Sequence, residues 1–129
     1  MPTRANGSLK PRTVSAPEPS AIFKAIKAQP PLLRSRVSRS YCGMEADWAL
    51  TFADAHEGHP GEALVYFSAE PLGMRLVRGS VTLRKYPQLR RLHAGAPVRV
   101  RGRIQKADAF SLELEIRDLV FARAVEAAH

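Results

Sequence analysis

The spacing of apolar residues divides the chain near residue 44. Before that point, "SAIFKAIKAQPP" carries apolar side chains at helical intervals after a candidate N-cap, Ser20, and its two prolines end the helix. A second short helix is predicted over 31–41, where apolar residues recur every four positions. Residues 18–43 are therefore predicted to form a short helical segment.

After the helical segment, apolar residues alternate with polar ones, which is the period of a half-buried strand. In the first strand, "EADWALTFADA", Trp48 shares one face with Leu50 and Phe52 and is predicted to lie in the core. Four more strands are predicted in "ALVYFSA", "MRLVRGSVTL", "PVRVRGRIQ" and "SLELEIRDLVFA". Between the third and fourth strands, "YPQLRRLHAG" is typical of a short helix that begins at Pro87 and stops at Gly95.

Two departures from regular strands are expected. Gly79, in the middle of the third strand, indicates a bulge or a sharp bend. In the last strand the alternation shifts by one residue between Ile116 and Leu119, which is typical of a bulge. Gly102 is interpreted as a glycine that lets the fourth strand bend around a barrel.

The order β–β–β–α–β–β is the connectivity of the OB-fold, a small Greek-key barrel of five strands. The stretch "YPQLRRLHAGAPVRVRGRIQ" is similar to the segment before the fourth strand in tRNA-anticodon-like OB-fold domains, and "SYCGMEADWALTF" resembles the start of the first strand in small bacterial OB-like proteins. The resemblance covers about residues 40–122. It implies an oligonucleotide-binding ancestry, with ligands on the face of strands two and three and on the 1–2 and 4–5 loops. OB-folds also bind proteins and sugars, so the resemblance leaves the ligand open.

The predicted fold is therefore mainly β. A disordered basic tail over 1–17 and the helical segment precede an OB-fold barrel over 44–123, and a C-terminal tail follows over 124–129. The tail is predicted from its Pro, Ser, Thr and Lys content, because such a segment buries too little apolar surface to become ordered.

The chain has a formal net charge of +8, which favours anionic partners such as nucleic acid. The charges fall in blocks: residues 44–70 contain acids and no Lys or Arg, and residues 71–107 contain Lys and Arg and no acid. An OB barrel places the fourth strand between the first and the fifth, so that its cations face acidic neighbours on both sides.

Two interpretations of the fourth-strand arginines stay open. In the first they form a ladder with the neighbouring strands, each cross-strand pair stabilising by roughly 0.2–1 kcal/mol. With a hairpin loop centred near Asp108, Arg103 would lie opposite Glu113 and Arg101 opposite Glu115. In the second interpretation the same arginines follow the phosphates of a bound nucleic acid.

The predicted nucleic-acid-binding residues lie on the third strand, the segment after it and the fourth strand, with one aromatic residue to stack on a base. They are Arg75, Arg78, Arg84, Lys85, Arg101, Arg103, Lys106 and Tyr66. Arg75 and Arg78 are expected to contribute most, because no acid lies near them in the sequence. Tyr66 and Phe67 point to opposite sides of their strand, so one of them faces outward. The alternative role for this pair is contact at the barrel rim beneath the N-terminal helices.

No feature of the sequence predicts an enzyme, a cofactor or a metal site. His56 and His59 form an H-x-x-H pair in a loop that supplies no further His or Cys ligand. The single cysteine, Cys42, is interpreted as a semi-buried structural thiol in a protein of a reducing compartment. No apolar run is long enough to span a membrane and no secretory signal is recognisable, so a cytoplasmic location is expected.

The sequence thus predicts a non-catalytic OB-fold domain that binds single-stranded DNA or RNA with little sequence preference. The binding surface would be the basic face formed by strand three, the helix and strand four. The alternative is an accessory protein-interaction module that has no nucleic-acid ligand. The sequence leaves the oligomeric state unknown.

Overall fold

The computed structural model describes residues 14–70 and 73–121. Two helices come first, five strands follow, and a single 3-10 turn separates the third strand from the fourth. The elements are α1 (Pro19–Lys27), α2 (Pro31–Ser40), β1 (Glu45–Glu57), β2 (Glu62–Ser68), β3 (Val77–Thr82), the 3-10 turn (Pro87–Arg90), β4 (Pro97–Ala107) and β5 (Leu112–Phe121). Most of the predicted N-terminal tail, and the whole predicted C-terminal tail, lie outside the described residues.

The five strands close into a barrel in the order β1-β2-β3-β5-β4. Every neighbouring pair is antiparallel except β3 and β5, which run parallel. This order confirms the predicted mainly-β OB-fold. At the upper end of the barrel, the β1–β2 turn meets the segment after β3, where the N–H of Leu83 donates to the carbonyl of Gly61 over 2.8 Å. The β2–β3 connection and the β4–β5 turn lie at the lower end.

Alternate residues of each strand fill the barrel, as the period of two predicts. The burial of β3 alternates strictly between buried and exposed positions. Phe67, Val65, Val100 and Leu112 are completely buried, and Trp48 is 5% exposed, which confirms its predicted place in the core. The outward positions of β3 and β4 carry charged and polar side chains, among them Arg78, Arg99 and Arg101.

The helix α1 closes the lower end of the barrel. Its apolar stripe of Ile22, Phe23 and Ile26 joins the core, and the three side chains are at most 6% exposed. By contrast, α2 buries only Ser38, and its Leu32 is 94% exposed. The described residues before α1 extend along β1, where a parallel bridge joins Ser15 to Glu45.

Three residues are left without a cross-strand partner where the ladders shift: Ala53 in β1, Gln105 in β4 and Arg117 in β5. The shift at Arg117 confirms the bulge predicted between Ile116 and Leu119. Of the bulge or sharp bend predicted at Gly79, the bulge is wrong, because β2 and β3 pair without interruption there. A glycine is required at that position because β5 lies so close that a Cβ would come within 2.6 Å of the Ile116 side chain.

The predicted helix between β3 and β4 is a 3-10 turn of four residues, Pro87–Arg90. Tyr86 and Leu89, on either side of Pro87, are buried against the core at the upper end. The segment then turns at Gly95, whose φ of 99° lies in the left-handed region that glycine adopts readily. The helical turn therefore begins at Pro87 as the sequence predicts. The predicted end at Gly95 is wrong, because the turn stops at Arg90 and is shorter and more tightly wound than an α-helix.

Candidate functional site

Tyr66 lies on the outer face of β2, half-buried among side chains of the neighbouring strands. The ring of His56 meets it edge to face, with 5.5 Å between centroids and 79° between planes. The guanidinium carbon of Arg75 lies 5.8 Å from the centroid of the Tyr66 ring. Phe67, the next residue, is completely buried, so one ring of the pair faces outward, as the alternation predicts. We call Tyr66, His56, Arg75 and Arg78 the Tyr66 patch.

Arg75 and Arg78 both have acidic partners, contrary to what their sequence neighbourhood indicates. The Nη1 atom of Arg75 lies 3.1 Å from Oδ2 of Asp54, and Nη2 of Arg78 lies 3.6 Å from Oε1 of Glu113. Arg75 precedes β3 instead of lying within it. The β1–β2 pairing sets Asp54 opposite Tyr66, and the parallel β3–β5 pairing sets Glu113 opposite Arg78. Neither pairing is visible in the local sequence.

The arginines of β4 form the predicted ladder with β1. Arg99 binds the Asp47 carboxylate through two nitrogens, at 2.7 and 3.2 Å, and Arg101 lies 3.6 Å from the same carboxylate. Arg103 lies 3.2 Å from Glu45. The hydrogen bond from Arg99 holds the pKa of Asp47 below its ordinary value and raises the pKa of Arg99. Both groups lie at the surface, so the ladder joins strands without burying charge.

The predicted register between β4 and β5 is wrong. Arg103 lies opposite Glu115 and Arg101 opposite Asp118, each two or three residues further along β5 than predicted. The reason is the turn, which spans residues 108–111 and so is centred beyond Asp108. The Asp108 carboxylate accepts hydrogen bonds from the N–H groups of Phe110 and Ser111, at 2.7 and 2.8 Å, and this fixes the turn.

The remaining predicted cations, Arg84, Lys85 and Lys106, make no ion pair with the described residues. Lys85 donates to the carbonyl of Arg117 over 3.3 Å and lies 5.4 Å from the Tyr86 ring centroid. Arg84 and Lys85 follow β3 at the upper end, and Lys106 lies near the lower end of β4. The structure thus distributes the predicted site over the barrel and does not gather it into one cluster.

The exposed aromatic residue Phe110 was missed by the sequence reasoning. It lies in the β4–β5 turn, its side chain is 69% exposed, and the Lys27 ammonium lies 5.0 Å from its ring centroid. A large aromatic residue inside the polar turn "KADAFS" is the signal that could have identified it. Phe110 borders a groove between α1 and the loops of the lower end.

Other chemistry is sparse in the described part of the chain. Residues 14–70 and 73–121 contain no group of three or more His, Cys, Asp or Glu side chains placed to hold a metal ion. Cys42 is exposed, with its Sγ 3.3 Å from the carbonyl oxygen of Gln105, so the prediction of a semi-buried thiol is wrong. Its side chain lies at the surface beside β4, where the N–H of the next residue, Gly43, donates to the carbonyl of Ile104 over 2.8 Å. None of the described helices has the length and apolar character needed to cross a membrane.

Comparisons with known proteins bear on the fold. No family model matches the chain, and no curated protein matches it either. A solved structure of the OBody AM1L10 bound to hen egg-white lysozyme is similar, with a TM-score of 0.52 and 13% sequence identity. The alignment covers 69% of this chain and 88% of the OBody chain. At that identity the likeness shows the fold alone, and it agrees with the strand order: the chain has an OB-fold barrel.

Proposed function

We propose that the protein is a non-catalytic OB-fold module that binds single-stranded nucleic acid weakly and with little sequence preference. The observation that carries this proposal is the Tyr66 patch: an outward aromatic ring with one guanidinium over it and a second, Arg78, opposite it on the next strand. Stacking on an aromatic ring contributes roughly 1–3 kcal/mol per base and tolerates any base. The edge contact with His56 holds the ring in place.

The outward row of β3 supports a path for the phosphates. Arg78, Ser80 and Thr82 are exposed in turn, and Arg84 follows two residues later. At about 3.3 Å per residue, the strand row from Arg78 to Thr82 extends for about 13 Å, and Arg84 lies in the turn that follows it. Arginines and hydroxyl groups are the side chains that bind phosphate oxygens most often. A single-stranded nucleic acid with one base stacked on Tyr66 would follow this row toward the cations at the upper end of the barrel.

The acids beside this path favour weak binding. Asp54 and Glu113 already accept contacts from Arg75 and Arg78, and Glu62 lies opposite Thr82 at the upper end of β3. Exposed ion pairs of this kind contribute only about 0–1 kcal/mol each, so a phosphate competes with them. We expect a dissociation constant in the range of roughly 10⁻⁴–10⁻⁶ M, which is typical of non-specific binding.

The experiment is a fluorescence-anisotropy titration with labelled oligothymidylate and oligouridylate at low and at high salt. Tyr66→Ala should weaken binding by roughly 5- to 150-fold, which corresponds to the loss of one stacked base. Tyr66→Phe is the matched control, since it keeps the ring and should bind like the natural protein. The Arg75→Ala, Arg78→Ala double variant should weaken binding more than Arg101→Ala. Absence of binding at low salt, or equal binding by Tyr66→Ala, would contradict the proposal.

A cytoplasmic location fits this function, and the single cysteine supports a reducing compartment. The resemblance to tRNA-anticodon-like domains stays a prediction, and the comparison of the two oligonucleotides tests whether RNA is preferred.

A further inference from the structure

A groove at the lower end of the barrel exposes large apolar side chains that the fold does not need at the surface. Its walls come from α1, from the residues that lead into β3 and from the β4–β5 turn; the lining residues are Ser20, Ala21, Phe23, Lys24, Lys27, Met74, Leu76, Ala109 and Phe110. We call it the α1 groove. Met74 is 73% exposed and Phe110 is 69% exposed. The volume of about 670 Å³ lies in the range of small-ligand sites.

Hydrogen bonds preform the walls of the α1 groove. The N–H of Leu76 donates to the carbonyl of Phe67 over 3.0 Å, and the N–H of Leu112 donates to the carbonyl of Leu76 over 2.8 Å. On the other side, the Asp108 carboxylate fixes the turn that presents Phe110. Because the walls are already ordered, binding loses less conformational entropy than it would in a flexible groove.

The charge of the α1 groove is positive. Lys24 and Lys27 line it, none of its lining residues within 14–70 and 73–121 is an acid, and α1 itself contains no Asp or Glu. The nearest acid in the turn, Asp108, is occupied by the backbone N–H groups that it binds. A second copy of the chain would bring a second pair of lysines to the contact, so like charges disfavour self-association there. The groove is concave, which suits a chain segment better than the broad surface of a membrane.

We propose that the α1 groove binds a short segment of a partner protein in which large apolar side chains are flanked by Asp or Glu. The apolar side chains would lie between Met74 and Phe110, and the carboxylates would bind Lys24 and Lys27. This site shares no residue with the Tyr66 patch, so it goes beyond the proposed nucleic-acid function and does not depend on it.

The test uses three synthetic peptides, with the sequences DDFLDD, KKFLKK and DDSSDD, followed by amide NMR shifts of the full chain. We expect DDFLDD to shift amides of α1, of residues 73–76 and of residues 109–110, and the other two peptides to leave them unchanged. Phe110→Ser should weaken DDFLDD binding at least tenfold; because the ring is exposed, circular dichroism should show an unchanged fold. The double reversal Lys24→Glu, Lys27→Glu should abolish DDFLDD binding and create binding of KKFLKK.

Four outcomes would overturn the proposal. The first is the absence of shifts in the α1 groove at millimolar DDFLDD. The second is displacement of the peptide by oligothymidylate, which would make the groove part of a nucleic-acid path. The third is a dimer of the natural protein that Phe110→Ser dissociates, and the fourth is binding to acidic vesicles without peptide binding. Tyr66→Ala must leave peptide binding unchanged and Phe110→Ser must leave oligonucleotide binding unchanged, so failure of one proposal is distinguishable from failure of the other.

Discussion

Replacing Gly102 by alanine tests how closely β4 and β5 approach each other. Gly102 is buried on β4 and lies opposite Ile116, next to the unpaired Arg117 of the bulge. A Cβ atom there would collide with the carbonyl oxygen of Glu115 and lie 3.1 Å from both the Glu115 carbonyl carbon and the Ile116 Cα. All three are backbone atoms, so no side-chain rotation relieves the contact and the strands themselves must move apart.

We expect Gly102→Ala to destabilise the protein by about 3 kcal/mol, near the upper part of the usual range of about 1–3 kcal/mol for overfilled cores. For a domain of this length, such a loss lowers the melting temperature by about 10 °C. Gly58→Ala is the matched control, because nothing lies within 4 Å of its Cβ position. That variant should be as stable as the natural protein or more stable by up to about 1 kcal/mol, since alanine restricts the unfolded chain.

Urea unfolding and calorimetry measure these differences, and Gly79 provides an internal comparison. A Cβ at Gly79 would lie 2.6 Å from Cγ1 and Cδ1 of Ile116 and 2.8 Å from the Leu114 carbonyl oxygen. Ile116→Ala removes both side-chain carbons, so in that background Gly79→Ala should destabilise less, whereas Gly102→Ala should destabilise as before. A Gly102→Ala variant as stable as the natural protein, or one that Ile116→Ala rescues equally well, would refute the reasoning.

Two further predictions concern the ladder and the core. The pKa of Asp47 in the folded protein lies below its ordinary value of 3.8, so the ion pair with Arg99 stabilises the protein above that pH, and this contribution is lost as the pH falls through the folded pKa. Urea unfolding between pH 3 and pH 7 should therefore show that Asp47→Asn loses less stability in acid than the natural protein does. An equal pH dependence in the two proteins would contradict this sign. Phe67→Ala should lower the free energy of unfolding by about 3–5 kcal/mol because the ring is completely buried, whereas Tyr66→Ala on the opposite face should lower it by far less, and equal losses would contradict the assigned orientations.

The strands of this barrel are predictable because each one is a local signal. Alternation in "EADWALTF" places Trp48 inside, and the shift of alternation after Ile116 locates the bulge at Arg117. Both features depend only on which face of a strand is buried, and the alternation of apolar and polar residues within the strand shows which face that is. The order of elements then restricts the fold, since few architectures connect three strands, a short helical turn and two strands.

The charge partners are not predictable in the same way, because they depend on register. Asp54 meets Arg75 only because β1 carries an unpaired residue, Ala53, which advances its pairing with β2 by one position. Glu113 meets Arg78 across the parallel contact of β3 and β5, which connects segments that are distant in the sequence. A turn that is centred beyond Asp108 likewise moves every pair of β4 and β5.

The strand registers of the barrel change which ligand the net charge of the protein indicates. Over residues 44–121 the chain has almost as many Asp and Glu as Lys and Arg, and the ladders bring many of them into contact. The basic excess therefore lies in the segment before β1, where α1 and α2 carry five cations and no acid. The proposed nucleic-acid binding would then depend on the Tyr66 ring and on cations such as Arg84, which has no acidic partner among the described residues. The positive surface of α1 stands beside an apolar groove, and apolar surface next to cations favours an acidic protein segment over a bare phosphate chain.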